Sequence, residues 1–142
     1  MRISRFLQVC ASLGLSLWAA SAWADGAYVS DRALASINRA NAWFRSDFAV
    51  VEPNLTTSAT IGSVSWRYEL PGIPAGATLS AQLCYPRPLL CEDISRSQSG
   101  STERFSGRSA AVPLFIQYRV NHKANFAPLA PKPAQIIVNW RR

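Results

Sequence analysis

Strict alternation of apolar and polar side chains runs through most of the chain. In Val64-Ser65-Trp66-Arg67-Tyr68-Glu69-Leu70, the residues Val64, Trp66, Tyr68 and Leu70 share one face and Ser65, Arg67 and Glu69 the other. A period of two sends successive side chains to opposite sides of a strand. This segment therefore predicts a strand with one face on a core and one in water. Pro71-Gly72 ends it, and Pro74-Ala75-Gly76 extends the turn. Leu79, Ala81, Leu83 and Tyr85 then oppose Ser80, Gln82 and Cys84, which puts Cys84 on the polar face or its rim. Pro86-Arg87-Pro88 turns the chain back through Leu89-Leu90-Cys91. Further on, Leu114, Ile116, Tyr118 and Val120 alternate with Phe115, Gln117 and Arg119, leaving Phe115 as an apolar residue on a nominally outer face. Ile136, Val138 and Trp140 share a face of the last predicted strand.

The intervening segments are less regular. Residues 95–109 are rich in Ser and Gly and predict a mobile loop, with a short strand around Glu103-Arg104-Phe105. Pro128, Pro131 and Pro133 make 125–133 an extended connector, because proline lacks the N–H and fixes φ against a helix interior. Toward the N-terminus, Tyr28-Val29-Ser30 and 40–48 read as strands, although 33–44 also has the composition of a short helix. Strands are preferred because the rest of the chain is β and a sandwich wants about seven of them. The expected fold is all-β: a small antiparallel β-sandwich of about seven short strands, forming one domain over residues 25–142.

The first 24 residues change that picture only by being set aside. Arg2 and Arg5 precede an apolar run from Phe6 to Ala20, and Ala22-Trp23-Ala24 precedes Asp25. That is the pattern of a secretory signal peptide cleaved between Ala24 and Asp25. The apolar run is shorter than the roughly 20 residues that span a bilayer, so a cleaved signal is preferred to an anchor. Removing 24 of the 142 residues leaves 118, about the modal size of one domain. The formal charge falls from +7 to +5 with Arg2 and Arg5. The remaining basic residues are dispersed, with no stripe of the kind that tracks nucleic acid. Cys10 leaves with the signal, and Cys84 and Cys91 remain as an even pair in an oxidising compartment, the setting of a disulfide.

Catalytic chemistry finds few candidates. His122, the single histidine, stands among polar residues at a strand end, where it reads as an exposed loop residue without an acid partner. The serine-rich segment lacks the G-x-S-x-G frame of a strained nucleophile turn. Glu92 and Asp93 are adjacent, so on a strand they face opposite ways and make a poor acid–base pair. Two cysteines and one histidine fall short of the four ligands of a closed tetrahedral metal site. No cofactor, nucleic-acid or small-molecule substrate site is expected, and the chain reads as a non-enzyme. Trp66, Tyr68, Tyr118 and Trp140 read as core. Trp43, Phe44 and Arg45 are less regular and form a candidate contact patch.

Taken in order, Trp66-Arg67-Tyr68-Glu69-Leu70, Pro74-Ala75-Gly76, Leu83-Cys84 with Cys91-Glu92, Ser99-Gly100-Ser101-Thr102 and Gln135-Ile136-Ile137-Val138-Asn139-Trp140-Arg141 resemble the flagellar protein FlhE family over about the last eighty residues. The chain departs from that family in a longer segment between the cysteines and in its proline-rich connector. The resemblance implies a periplasmic accessory protein of bacterial flagella with a small β-sandwich fold. It implies action at the flagellar export apparatus or basal body, limiting proton leakage and affecting swarming, with no catalytic residues and with Cys84–Cys91 as the disulfide. Flagellar export or basal-body proteins are the implied partners, and a homo-dimer is possible on this reading. Two other classes compete. A general periplasmic binding or chaperone module would offer an open edge strand to extended clients. A hydrolase would need a polar cleft around His122 or Glu92-Asp93.

Overall fold

A computed structural model describes residues 25–142. The expected signal segment, with Ala24 at its expected cleavage site, lies outside the described residues. Eight strands follow one another: β1 (Gly26–Arg32), β2 (Phe44–Asp47), β3 (Thr60–Arg67), β4 (Thr78–Pro86), β5 (Leu89–Asp93), β6 (Ser99–Thr102), β7 (Phe115–Asn121) and β8 (Ala134–Arg141). They form two four-stranded sheets, ordered β1-β8-β3-β6 and β2-β7-β4-β5, and every pairing is antiparallel. The expected sandwich is present, with one strand more than expected and no helix among the described residues.

The core is the sum of the inward halves of the alternating strands. Val64 and Trp66 of β3, Ala81, Leu83 and Tyr85 of β4, Ile116, Tyr118 and Val120 of β7, and Ile136, Val138 and Trp140 of β8 are all buried. Aromatic side chains also tie the sheets to the loops through their polar tips. Tyr68 Oη donates to the Ile94 carbonyl at 2.6 Å, Trp66 Nε1 to Ser97 O at 3.0 Å and Tyr118 Oη to Ala35 O at 2.8 Å. A buried ring thus keeps its apolar area in the core while its one donor stays satisfied.

Three local expectations are corrected. The segment 95–109 is not simply a loop: its strand is β6, Ser99–Thr102, ahead of the expected 103–105, and Phe105 is fully buried. β6 pairs with β3 so that Gly100 lies opposite Trp66, and a Cβ on Gly100 would stand 2.5 Å from Trp66 Cζ2. The tryptophan ring fills the space that a side chain of β6 would occupy, which is why a strand without apolar residues is held at all. The segment 33–43 is neither strand nor helix. It crosses the end of the sandwich, with Ile37 bridged to Leu129 of the proline connector. Finally, Cys84 has the outward parity expected of it, yet it is fully buried rather than at a polar rim. It sits between Cys91 on β5, to which it is bonded, and the buried Phe115 on β7 in the register.

Cys84 and Cys91 are directly opposed on β4 and β5 and joined, with Cα atoms 4.1 Å apart. The staple therefore closes the hairpin at 86–88 and pins edge strand β5 to the sheet.

Candidate contact surface

Residues 43–45 enter β2, and strand alternation divides them. Phe44 turns inward and stacks on Tyr118, its partner in the register, with ring centroids 6.1 Å apart. Trp43 and Arg45 lie on the solvent side, Trp43 with 47% of its surface exposed.

Arg45 explains the apolar residue on the outer face of β7. Its guanidinium carbon lies 3.7 Å from the centroid of the Phe115 ring, while its Nε donates to Asp47 Oδ1 at 2.8 Å. Phe115 is thereby buried, with 3% of its surface left to solvent, on a face that otherwise carries polar groups. Stacking a guanidinium on a ring satisfies both: the ring loses water, and the weakly hydrated cation keeps its edge exposed. Four residues along β7 from Phe115, Arg119 lies over the Trp43 ring at 5.7 Å, and its Nε donates to Asn121 Oδ1. Between the two arginines, Gln117 Nε2 donates to Gln82 Oε1 at 2.6 Å, continuing a polar row across β7 and β4. The outer face of this sheet thus carries two arginine–aromatic pairs, Arg45 over Phe115 and Arg119 over Trp43. Reading 43–45 as a block missed Phe115 and Arg119. The available signal was the out-of-phase Phe115 with an arginine, Arg119, at the same parity four positions on.

The other candidate groups are dispersed. His122 is half-buried just past β7. Asn41, at φ 60°, accepts from the His122 N–H at 3.2 Å and donates to its carbonyl at 2.8 Å, so the side-chain amide clamps the backbone. The imidazole ring leans on Phe126, with centroids 6.2 Å apart, and makes no hydrogen bond or ion pair among the described residues. Glu92 accepts from Arg104 Nε. Asp93 accepts from the hydroxyl and the N–H of Ser95, at 2.6 and 2.9 Å, and these bonds hold its carboxyl below the usual range. The two carboxylates are committed to separate partners on opposite sides of β5. Among the described residues, no three His, Cys, Asp or Glu side chains gather as a metal site.

Such an arrangement defines a class: a small disulfide-stapled β-sandwich whose distinctive surface feature is an aromatic and cationic sheet face. The profile of the family described as flagellar protein FlhE matches residues 37–141, and the chain belongs to that family. The match begins upstream of the resembling motifs and takes in Trp43, Phe44 and Arg45. A solved structure described as a crystal structure of FLHE is similar with a TM-score of 0.70 at 28% identity, over 83% of this chain and 98% of that one. A search of curated proteins found no match.

Proposed function

We propose that the domain works in the periplasm as a non-catalytic accessory factor of the flagellum. It binds at the export apparatus or basal body and limits proton leakage through the export gate, with swarming as the visible consequence. Membership of a flagellar protein family carries this reading. The secretory pattern of residues 1–24 supports the compartment. The dispersal of His122, Glu92 and Asp93 supports action by contact, since acid–base work needs its groups within hydrogen-bond reach of one another.

Deleting the gene is expected to slow swarming and acidify the cytoplasm, and the wild-type protein supplied in trans restores both. Normal swarming and normal cytoplasmic pH in the deletion strain would sink the reading. Cross-linking from position 43 in the periplasm, with identification of the captured protein, names the partner, whether a basal-body component or a second copy. A general chaperone that adds client strands to its sheets is less well supported. Of the four edge strands, β2, β5 and β6 run only 4, 5 and 4 residues, a short template for extended clients, and β1 alone reaches 7.

A further inference from the structure

We propose that the outer face of the β2-β7-β4-β5 sheet binds an acidic, extended protein segment, whose carboxylates engage Arg45 and Arg119. The proposal rests on the reading of this domain as a contact protein and adds the chemistry of its partner.

Each of these guanidiniums is fixed twice. One surface lies on an aromatic ring, Phe115 or Trp43, and Nε is held by Asp47 or Asn121. The terminal nitrogens make no further hydrogen bond among the described residues. A planar fork of N–H donors matches a carboxylate in two parallel bonds. Because the rings and Nε contacts already restrict these side chains, little rotamer freedom remains to be lost on binding.

Spacing supports an extended ligand. Arg45 is opposite Gln117, and Arg119 lies two residues further along β7, so the arginines stand in the diagonal relation of an antiparallel pair, about 7–8 Å apart at the backbone. Side chains at i and i+2 of an extended chain repeat at about 6.6–6.8 Å. From that backbone separation the guanidiniums lean apart, Arg45 toward Phe115 and Arg119 toward Asn121, so acidic residues two or four positions apart on one face of an extended segment can reach both. Trp43, half exposed beside Arg119, adds the kind of aromatic anchor that concentrates binding energy at interfaces.

The carboxylates present select against a continuous anionic surface. Asp47 lies beside Arg45, and Asp93 shares the outward row of Gln82 on the same sheet. A lipid headgroup layer would press negative charge against both, whereas a segment with spaced acids avoids them. Steering of an acidic segment is further favoured by the positive charge of residues 25–142, formally +5 (13 basic less 8 acidic residues).

The test uses the protein purified from periplasm and three probes: a peptide alternating Glu and Thr, its Gln-for-Glu counterpart, and phosphatidylglycerol-containing vesicles. The Glu peptide is expected to bind with a salt-sensitive affinity, and the Gln peptide and vesicles to bind far more weakly. Arg119→Gln should weaken the Glu peptide by about tenfold or more, the loss of one charge-assisted pair, with Arg119→Lys recovering part of it. Trp43→Ala, at an exposed position, should weaken it as well while the circular dichroism spectrum is unchanged. Equal binding of the two peptides, indifference to Arg119→Gln in a folded variant, no peptide binding, or vesicle binding in its place would each overturn the proposal. Peptide failure beside an intact deletion phenotype sinks this inference alone. A silent deletion strain beside clean peptide binding sinks the flagellar reading and leaves this one standing.

Discussion

Tyrosine hydroxyls in this sandwich fall into two physical groups. Tyr68, Tyr85 and Tyr118 donate to loop carbonyls at 2.6, 3.1 and 2.8 Å, whereas the buried Tyr28 hydroxyl has no protein partner. Ser30 Oγ and Trp140 Nε1 are also unpartnered, so β1 and β8 share a small patch of unsatisfied polar atoms on the core side. Removing a satisfied buried bond loses about 1 kcal/mol, while removing an unsatisfied donor relieves a desolvation penalty. Urea unfolding should therefore show Tyr68→Phe destabilised by about 1 kcal/mol and Tyr28→Phe unchanged or more stable. Equal losses at the two positions would contradict this assignment. Alkali tests the same residues. Burial pushes Tyr28 up to about 12, and burial, with the Asp93 charge adding to it, pushes Tyr68 up to about 12, from 10.0. The folded state thus holds these protons more tightly than the unfolded chain. Their contribution is full below pH 10 and is lost as pH rises through about 12. Stability should fall across that window, and Tyr28→Phe should flatten part of the fall.

At the scale of elements, both edge strands of the first sheet depend on a tryptophan from the next strand inward. Trp140 of β8 lies over Gly26 of β1, and Trp66 of β3 lies over Gly100 of β6. A Cβ at Gly26 would stand 2.4 Å from Trp140 Cζ2, and one at Gly100 2.5 Å from Trp66 Cζ2. Gly100→Ala should then lower stability by about 1–3 kcal/mol through overpacking, read by urea melts with Trp fluorescence. Combining it with Trp66→Leu should cost less than the sum of the two single changes, because the smaller side chain gives the methyl room. Strict additivity would mean that the two positions do not touch. This pairing also explains what could be read from the chain. β3, β4, β7 and β8 announce themselves because each buries one face, so the period-two pattern is written in their own residues. β6 is Ser-Gly-Ser-Thr, and the apolar surface that covers it belongs to Trp66, more than thirty residues upstream. β2 was partly visible, but its alternation splits Phe44 from Trp43 and Arg45, and the arginine–aromatic pairs form only once β7 lies alongside.

Residues 25–142 form a packed two-sheet body stapled by Cys84–Cys91, and it carries its stability mainly in the core. By the chain-entropy estimate, closing a loop of this length contributes about 2.5 kcal/mol, and a domain of this size buries roughly two-thirds of its unfolded surface without help. Cys84→Ala/Cys91→Ala should therefore remain folded, with urea stability lower by about 2.5 kcal/mol and the β spectrum retained. Loss of the fold would show that the hairpin staple, not the core, holds β5 in place. The same division between body and surface separates contact from catalysis. His122 touches Phe126 and a backbone clamp, so His122→Ala changes neither the sheets nor the arginine face. Arg119 lies on that face, over Trp43, and Arg119→Gln removes a cation while leaving the core side chains of β7 untouched. In a deletion strain, His122→Ala supplied in trans should restore swarming as the wild type does, and Arg119→Gln, at equal periplasmic abundance, should not. The reverse outcome, with His122 indispensable and Arg119 silent, would return the function to chemistry at the end of the sandwich and take it away from the sheet face.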